Sequence, residues 1–122
     1  MLVARWDFKL CLGVRYLGMH NGLDYTQTPV YRGDGTKGAR PDVDIKVDKK
    51  TGLVIPEKSG LSVHVDQQKL LGRFGSAPRV KSIPDELQII QQGKDPGHYG
   101  ITPKQPMTPE QFQEFLDQVE FE

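Results

Sequence analysis

The chain is short of several things, and each shortage removes a class of protein. It has one cysteine, Cys11, so it cannot form an internal disulfide, and such usage fits a reducing compartment, which makes action in the cytoplasm the expectation. No apolar run approaches the roughly 20 residues a bilayer-spanning helix needs, and Arg5, Asp7 and Lys9 interrupt the first segment. That segment is therefore expected to be neither a membrane anchor nor a signal peptide. Net charge is missing too: 16 basic and 16 acidic residues cancel, so no general attraction to polyanions draws the chain to a membrane surface or favours nucleic acid as a partner. Metal ligands are equally sparse. Cys11 and the three histidines, His20, His64 and His98, lack the short paired spacing of a structural zinc site.

What the chain has in quantity is punctuation. Thirteen glycines and nine prolines lie among short apolar runs, which predicts many turns and short elements in an α+β domain rather than a helical bundle. At 122 residues there is material for one domain with a modest core. Residues 19–122 are read as that domain. Residues 1–18 are read as an N-terminal extension, either an added strand or sequence upstream of a native start at Met19.

Residues 29–32 predict a short strand, followed by a flexible glycine loop at 33–38. Val43, Ile45 and Val47 alternate with Asp44 and Lys46 as a half-exposed strand would. Residues 61–65 predict another, with Leu61, Val63 and Val65 on one face and Ser62 and His64 on the other. Asp66 can then cap a short helix running to Leu70 or Leu71 and stopped at Gly72. The most sharply punctuated stretch is 83–113. A turn at Pro84, a strand with Leu87, Ile89 and Ile90, turn residues at 93–97 and a return strand at 98–102 lead to a C-terminal amphipathic helix. Thr108 is its N-cap, Pro109 its first residue and Gln111 the capping-box partner, ahead of Phe112, Phe115, Leu116 and Val119 at i, i+3, i+4 and i+7.

Several chemistries are excluded by pattern. The 33–38 loop lacks the Gly-Lys-Ser/Thr ending of a phosphate-cradling loop and precedes no helix. Ser62 and His64 share a strand face at about 6.5 to 7 Å, too far apart for a nucleophile and its base. The remaining constellation is Arg32, Ser62, His64, His98 and Tyr99, all on predicted strands that can converge on one cleft. Each has a structural alternative: Arg32 as an exposed strand-end charge, Ser62 and His64 as a solvated face, His98 as a hairpin closure, Tyr99 as core with its hydroxyl at the surface.

At these residues the chain resembles the type VI secretion cytotoxin family, whose fold is like that of ADP-ribosyltransferases such as diphtheria toxin and exotoxin A. The resemblance runs from about Pro29 to Met107. It is carried by VYR at 30–32, ARPD at 39–42, GLV at 52–54, SGLSV at 59–63, IPDELQIIQ at 83–91 and HYGITPKQPM at 98–107, the last two being the specific part. It implies a small split, twisted, mainly antiparallel sheet with a few short helices, holding NAD in a cleft between two half-sheets. Arg32 is similar to the strand-borne residue that contacts NAD, and Ser62 to the one shaping the nicotinamide pocket. Tyr31, Gly33, His64 and Tyr99 complete the implied NAD contacts, and Arg32, Ser62 and His98 the implied catalytic set.

One departure is evident. The superfamily's later glutamate has no counterpart between Leu87 and Met107, where Asp95 in a turn is the only acidic residue and Gln91, His98 and Tyr99 stand instead. The resemblance further implies an intracellular macromolecular target, or cleavage of NAD itself, and a cognate immunity protein or antitoxin. Two other readings stay open: an RNA 2'-phosphotransferase-like NAD enzyme using Arg32, His64, His98 and Arg79, and an inactive protein-binding domain of the same fold.

Overall fold

Alternation along two strands sets the architecture, because Leu61 and Val63 on one and Ile101 on the other must share an apolar side. The computed structural model describes residues 22–122, so the expectations for residues 1–18 lie outside the described residues. The elements are β1 (Leu61–His64), α1 (Gln67–Phe74), β2 (Val80–Ser82), β3 (Leu87–Gln91), β4 (His98–Pro103), α2 (Pro109–Leu116) and β5 (Glu120–Phe121), with single 3-10 turns at Gly33–Gly35 and Pro56–Lys58. Strand β4 is central to a three-stranded antiparallel sheet in the order β1-β4-β3, and β2 pairs with β5 in a second, two-stranded one.

The two sheets are joined by residues 30–32. Tyr31 exchanges both backbone hydrogen bonds with His64 at 2.9 Å, while Val80 N–H donates to Val30 O at 2.9 Å and Arg32 N–H to Pro78 O at 3.0 Å. The strand expected at 29–32 is therefore only a bridge-length segment, yet it has one half-sheet on each side. This is the split, mainly antiparallel α+β arrangement, and the split falls at Arg32.

One face of the three-stranded sheet forms the core. Leu61, Ile89 and Ile101 are in register and fully buried. Against them pack Phe112 and Leu116 of α2 and Val119 beyond it, each buried side chain contributing on the order of 1.5 to 3 kcal/mol. Helix α2 begins as its sequence dictates. Thr108 Oγ1 accepts from Gln111 N–H at 3.1 Å, and Gln111 Oε1 accepts from Thr108 N–H at 3.0 Å. The helix closes at Leu116, so Val119 is buried from the turn that leads into β5 rather than from the helix.

Other elements differ from expectation for local reasons. Helix α1 starts at its Asp66 cap but runs through Gly72 to Phe74. It stops at Gly75, whose left-handed φ of 82° lets its N–H reach Leu71 O at 2.9 Å; a glycine inside the last turn costs only about 1 kcal/mol. The alternating 43–47 segment is not a strand. Buried Asp44 accepts from Arg40 N–H at 2.8 Å and folds the chain into a turn, leaving one bridge between Val47 and Val54. Strand β1 ends at His64, which stays on the Ser62 side as predicted but is 8% exposed while Val65 is 37% exposed, so the burial expected for that pair is reversed. No helix among the described residues is long and apolar enough to cross a membrane.

Candidate active site

The face of β1 and β4 turned away from the core carries the polar residues. Register places Ser62 opposite Gly100 and His64 opposite His98, so Ser62, His64 and His98 share one side by the two-residue period of a strand. Arg32 reaches the same place from the linking segment. Across from them α1 presents Lys69, Leu70, Arg73 and Phe74, positions one turn apart on one helix face, and the enclosed cleft has a volume of about 440 Å³. Gly33 forms part of the wall because a Cβ there would lie 2.3 Å from the Phe74 ring; only bare backbone lets that ring settle.

Arg32 is fixed by three hydrogen bonds. Its Nη1 donates to Ser62 O at 3.0 Å, Nε to Thr36 O at 3.0 Å and Nη2 to Thr36 Oγ1 at 3.1 Å. None of these acceptors carries a formal charge, and among the described residues no carboxylate forms an ion pair with it. Burial lowers its pKa, with Asp44 and Asp34 opposing the shift, but a guanidinium keeps its proton at physiological pH. A part-buried, oriented cation with no ion-pair partner among the described residues can receive an anion such as phosphate.

The two histidines have different duties. His98 Nδ1 lies 3.0 Å from Gln92 O. A carbonyl can only accept, so the neutral ring carries its proton on Nδ1 and presents a lone pair at Nε2. His64 is fully engaged: Nδ1 accepts from Asp66 N–H at 2.9 Å and Nε2 donates to Asp95 Oδ2 at 2.8 Å. Asp95 also accepts from Lys69 Nζ at 2.9 Å and from Gly97 N–H at 2.9 Å. Hydrogen bonds from His64, Lys69 and Gly97, in that order, hold its carboxyl well below the usual carboxylate range. This network ties β1, α1 and the β3–β4 turn together and shapes the cleft floor.

Charge in the cleft is lopsided although the chain is neutral. Arg32, Arg40, Lys69 and Arg73 line it against Asp34 and Asp95. Arg40 is paired with Asp44 and Lys69 with Asp95, while Arg73 lies over the Phe74 ring at 5.1 Å. Among the described residues no group of three His, Cys, Asp or Glu side chains is placed to hold a metal ion. The cleft therefore offers anion binding beside an aromatic surface, a hydroxyl at Ser62 and a lone pair at His98.

Of the residues singled out from sequence, the structure brings Arg32, Gly33, Ser62, His64 and His98 to one cleft. It does not bring Tyr31 or Tyr99 there. Tyr99 follows His98 along β4 and so points to the opposite face, where it packs against the core and borders a separate depression with Gln88 and Ile90. Tyr31 serves through its backbone, bridging His64 and Arg79. Arg79, wanted by the phosphotransferase reading, lies beside Glu122 at 3.7 Å and not in the cleft. Sequence reading missed Arg73 and Phe74 because the helix was expected to stop at Gly72, and Lys69, inside the expected helix, because the docking of α1 is not local information; the i, i+4 pair Lys69 and Arg73 was the available signal. It also missed Asp34, whose φ of 70° makes it the one non-glycine residue in the left-handed region among those described, at a cost of roughly 1 to 2 kcal/mol.

Comparison with known families gives a match to one described as Tse2 ADP-ribosyltransferase toxin, over residues 15–120. The chain belongs to the Tse2 ADP-ribosyltransferase toxin family. The match covers both helices, the three-stranded sheet, β2, the first residue of β5 and the whole cleft, and so reaches well beyond the stretch 29–107 that carried the resemblance. No curated protein matches the chain. Membership gives the cleft its setting: a toxin domain of the ADP-ribosyltransferase type, with its polar residues gathered where the sheet is split.

Proposed function

We propose that this toxin domain binds NAD in the cleft between the outer face of β1 and β4 and helix α1, and breaks the bond between nicotinamide and ribose, passing ADP-ribose to an intracellular macromolecule or to water. The observation that carries this reading is Arg32: an oriented guanidinium without a carboxylate partner among the described residues, at the junction of two half-sheets in a chain of this family. A pyrophosphate would be its direct ion-pair partner. The Ser62 hydroxyl, on the strand whose carbonyl Arg32 grips, stands where it can brace the nicotinamide end, and His98 Nε2 can take the proton that the incoming nucleophile loses. The toxin would act in the cytoplasm, where NAD and its target are, and the producing cell would need an immunity protein that blocks it.

The phosphotransferase alternative loses support because Arg79 is outside the cleft and His64 has both ring nitrogens engaged. Inducible expression in bacteria tests the proposal. Growth should arrest with the wild-type chain and recover with Arg32→Ala and with Ser62→Ala, and purified wild-type protein should release nicotinamide from NAD. Arrest that survives both substitutions would remove the cleft from the account.

A further inference from the structure

A second carboxylate lines the cleft, close enough to Arg32 for its charge to favour the protonated guanidinium. Asp95 is fully committed, holding His64, Lys69 and the Gly97 N–H. Asp34 forms no side-chain hydrogen bond or ion pair with the described residues, yet it borders the same cleft. It occupies a backbone position of φ 70° between two glycines, a place where glycine itself would fit without strain. Aspartate tolerates this conformation best when its side chain makes a local hydrogen bond, and here it makes none with the described residues. The turn is also clamped. Asp34 N–H donates to Ser76 O at 2.8 Å, Gly35 N–H to Arg32 O at 3.0 Å, and the Phe74 ring covers Gly33. A side chain on a strained turn held by backbone hydrogen bonds, with no hydrogen-bond or ion-pair partner among the described residues, is a reason to look for function where it borders a cleft.

We infer that Asp34 supplies the negative charge that stabilises the ribosyl cation, in place of the glutamate that β3 and β4 do not carry. This rests on the NAD reading of the cleft. The bond between C1' of ribose and the pyridinium nitrogen breaks, and its electron pair leaves with nicotinamide, which becomes neutral. The positive charge passes to C1' and the ring oxygen, where the Asp34 carboxylate faces it. A nucleophile, water or a target side chain, forms the new bond to C1' and gives its proton to His98 Nε2. Asp34 neither gains nor loses a proton; it acts by charge, and its rigid turn means that little reorganisation accompanies the step.

The test is steady-state nicotinamide release by purified wild-type, Asp34→Asn and Asp34→Gly proteins, with a thermal melt of each. Both variants are expected to lower kcat by on the order of 100-fold while KM for NAD stays within about threefold. Asp34→Gly should also melt higher than wild type, since it relieves the left-handed strain, so its loss of turnover cannot be put down to unfolding. Turnover close to wild type in either variant would overturn the assignment of Asp34 and leave the NAD reading standing. A raised KM with unchanged kcat would equally overturn it, making Asp34 a binding group. A wild-type protein that binds no NAD and releases no nicotinamide would overturn the NAD reading itself, and the role of Asp34 with it.

Discussion

The two faces of the β1–β4 pair are built from the same residues in alternation and do opposite things. Leu61, Val63 and Ile101 point inward to Phe112 and Leu116, nearly or fully buried. Ser62 and His64, each one position along, and His98, three positions before Ile101, point to the cleft. The difference teaches that stability and chemistry are separated by a single step along the strand. On the inner face the neighbours are interchangeable apolar groups whose worth scales with buried area. On the outer face each polar atom has a particular partner, or conspicuously lacks one, so type and orientation count more than size.

The comparison can be broken most forcefully from the inner side. Phe112→Ala should destabilise the domain by about 3 to 5 kcal/mol, enough to unfold much of the population, and a denaturant titration would read it as a lowered midpoint. Thr108→Ala removes the α2 cap and should cost about 1 kcal/mol in the same titration, without touching the cleft. On the outer side, Asp95→Asn weakens the floor of the cleft through charge. The Asp95 carboxyl is held below its unfolded-state value, so its stabilising contribution is fully present above about pH 4 and is lost as pH falls through its folded-state value. Thermal melts of wild type and Asp95→Asn should therefore differ at pH 7 and converge on acidification. A gap that is unchanged at low pH would mean that the network contributes through packing alone.

Smallest of all should be the stability effect of Ser62→Ala, within about 0.5 kcal/mol of wild type, because the hydroxyl makes no hydrogen bond among the described residues. That near-silence in a melt, together with loss of toxicity, would sharpen the contrast with Leu61 next to it. A large loss of stability would mean that Ser62 belongs to the scaffold.

Much of the fold was legible because its signals are local. The α2 capping box and its Phe112, Leu116 stripe, the alternation of β1, and the strand, turn and return of 83–103 are each read from neighbouring residues. Strands β2 and β5, three and two residues long, are too short to show a period and exist because they pair with each other, with β2 also bonded to Val30. The site was legible by half. Arg32, Ser62 and His98 were reachable from strand placement, whereas Lys69, Arg73 and Phe74 come to the cleft only through the docking of α1, and Asp34 through a backbone conformation that residue type does not announce. The expectation that His98 and Tyr99 act together conflicted with the strand period already in hand, which sends adjacent side chains to opposite faces.

The most direct test of the central claim is calorimetric titration of NAD into purified wild-type and Arg32→Ala proteins, each first shown to be folded by circular dichroism. Saturable binding at one site by the wild type, weakened at least about tenfold by Arg32→Ala, a loss of about 1.4 kcal/mol, is the predicted result. Equal binding by the two proteins, or no binding by a folded wild type, would contradict the account.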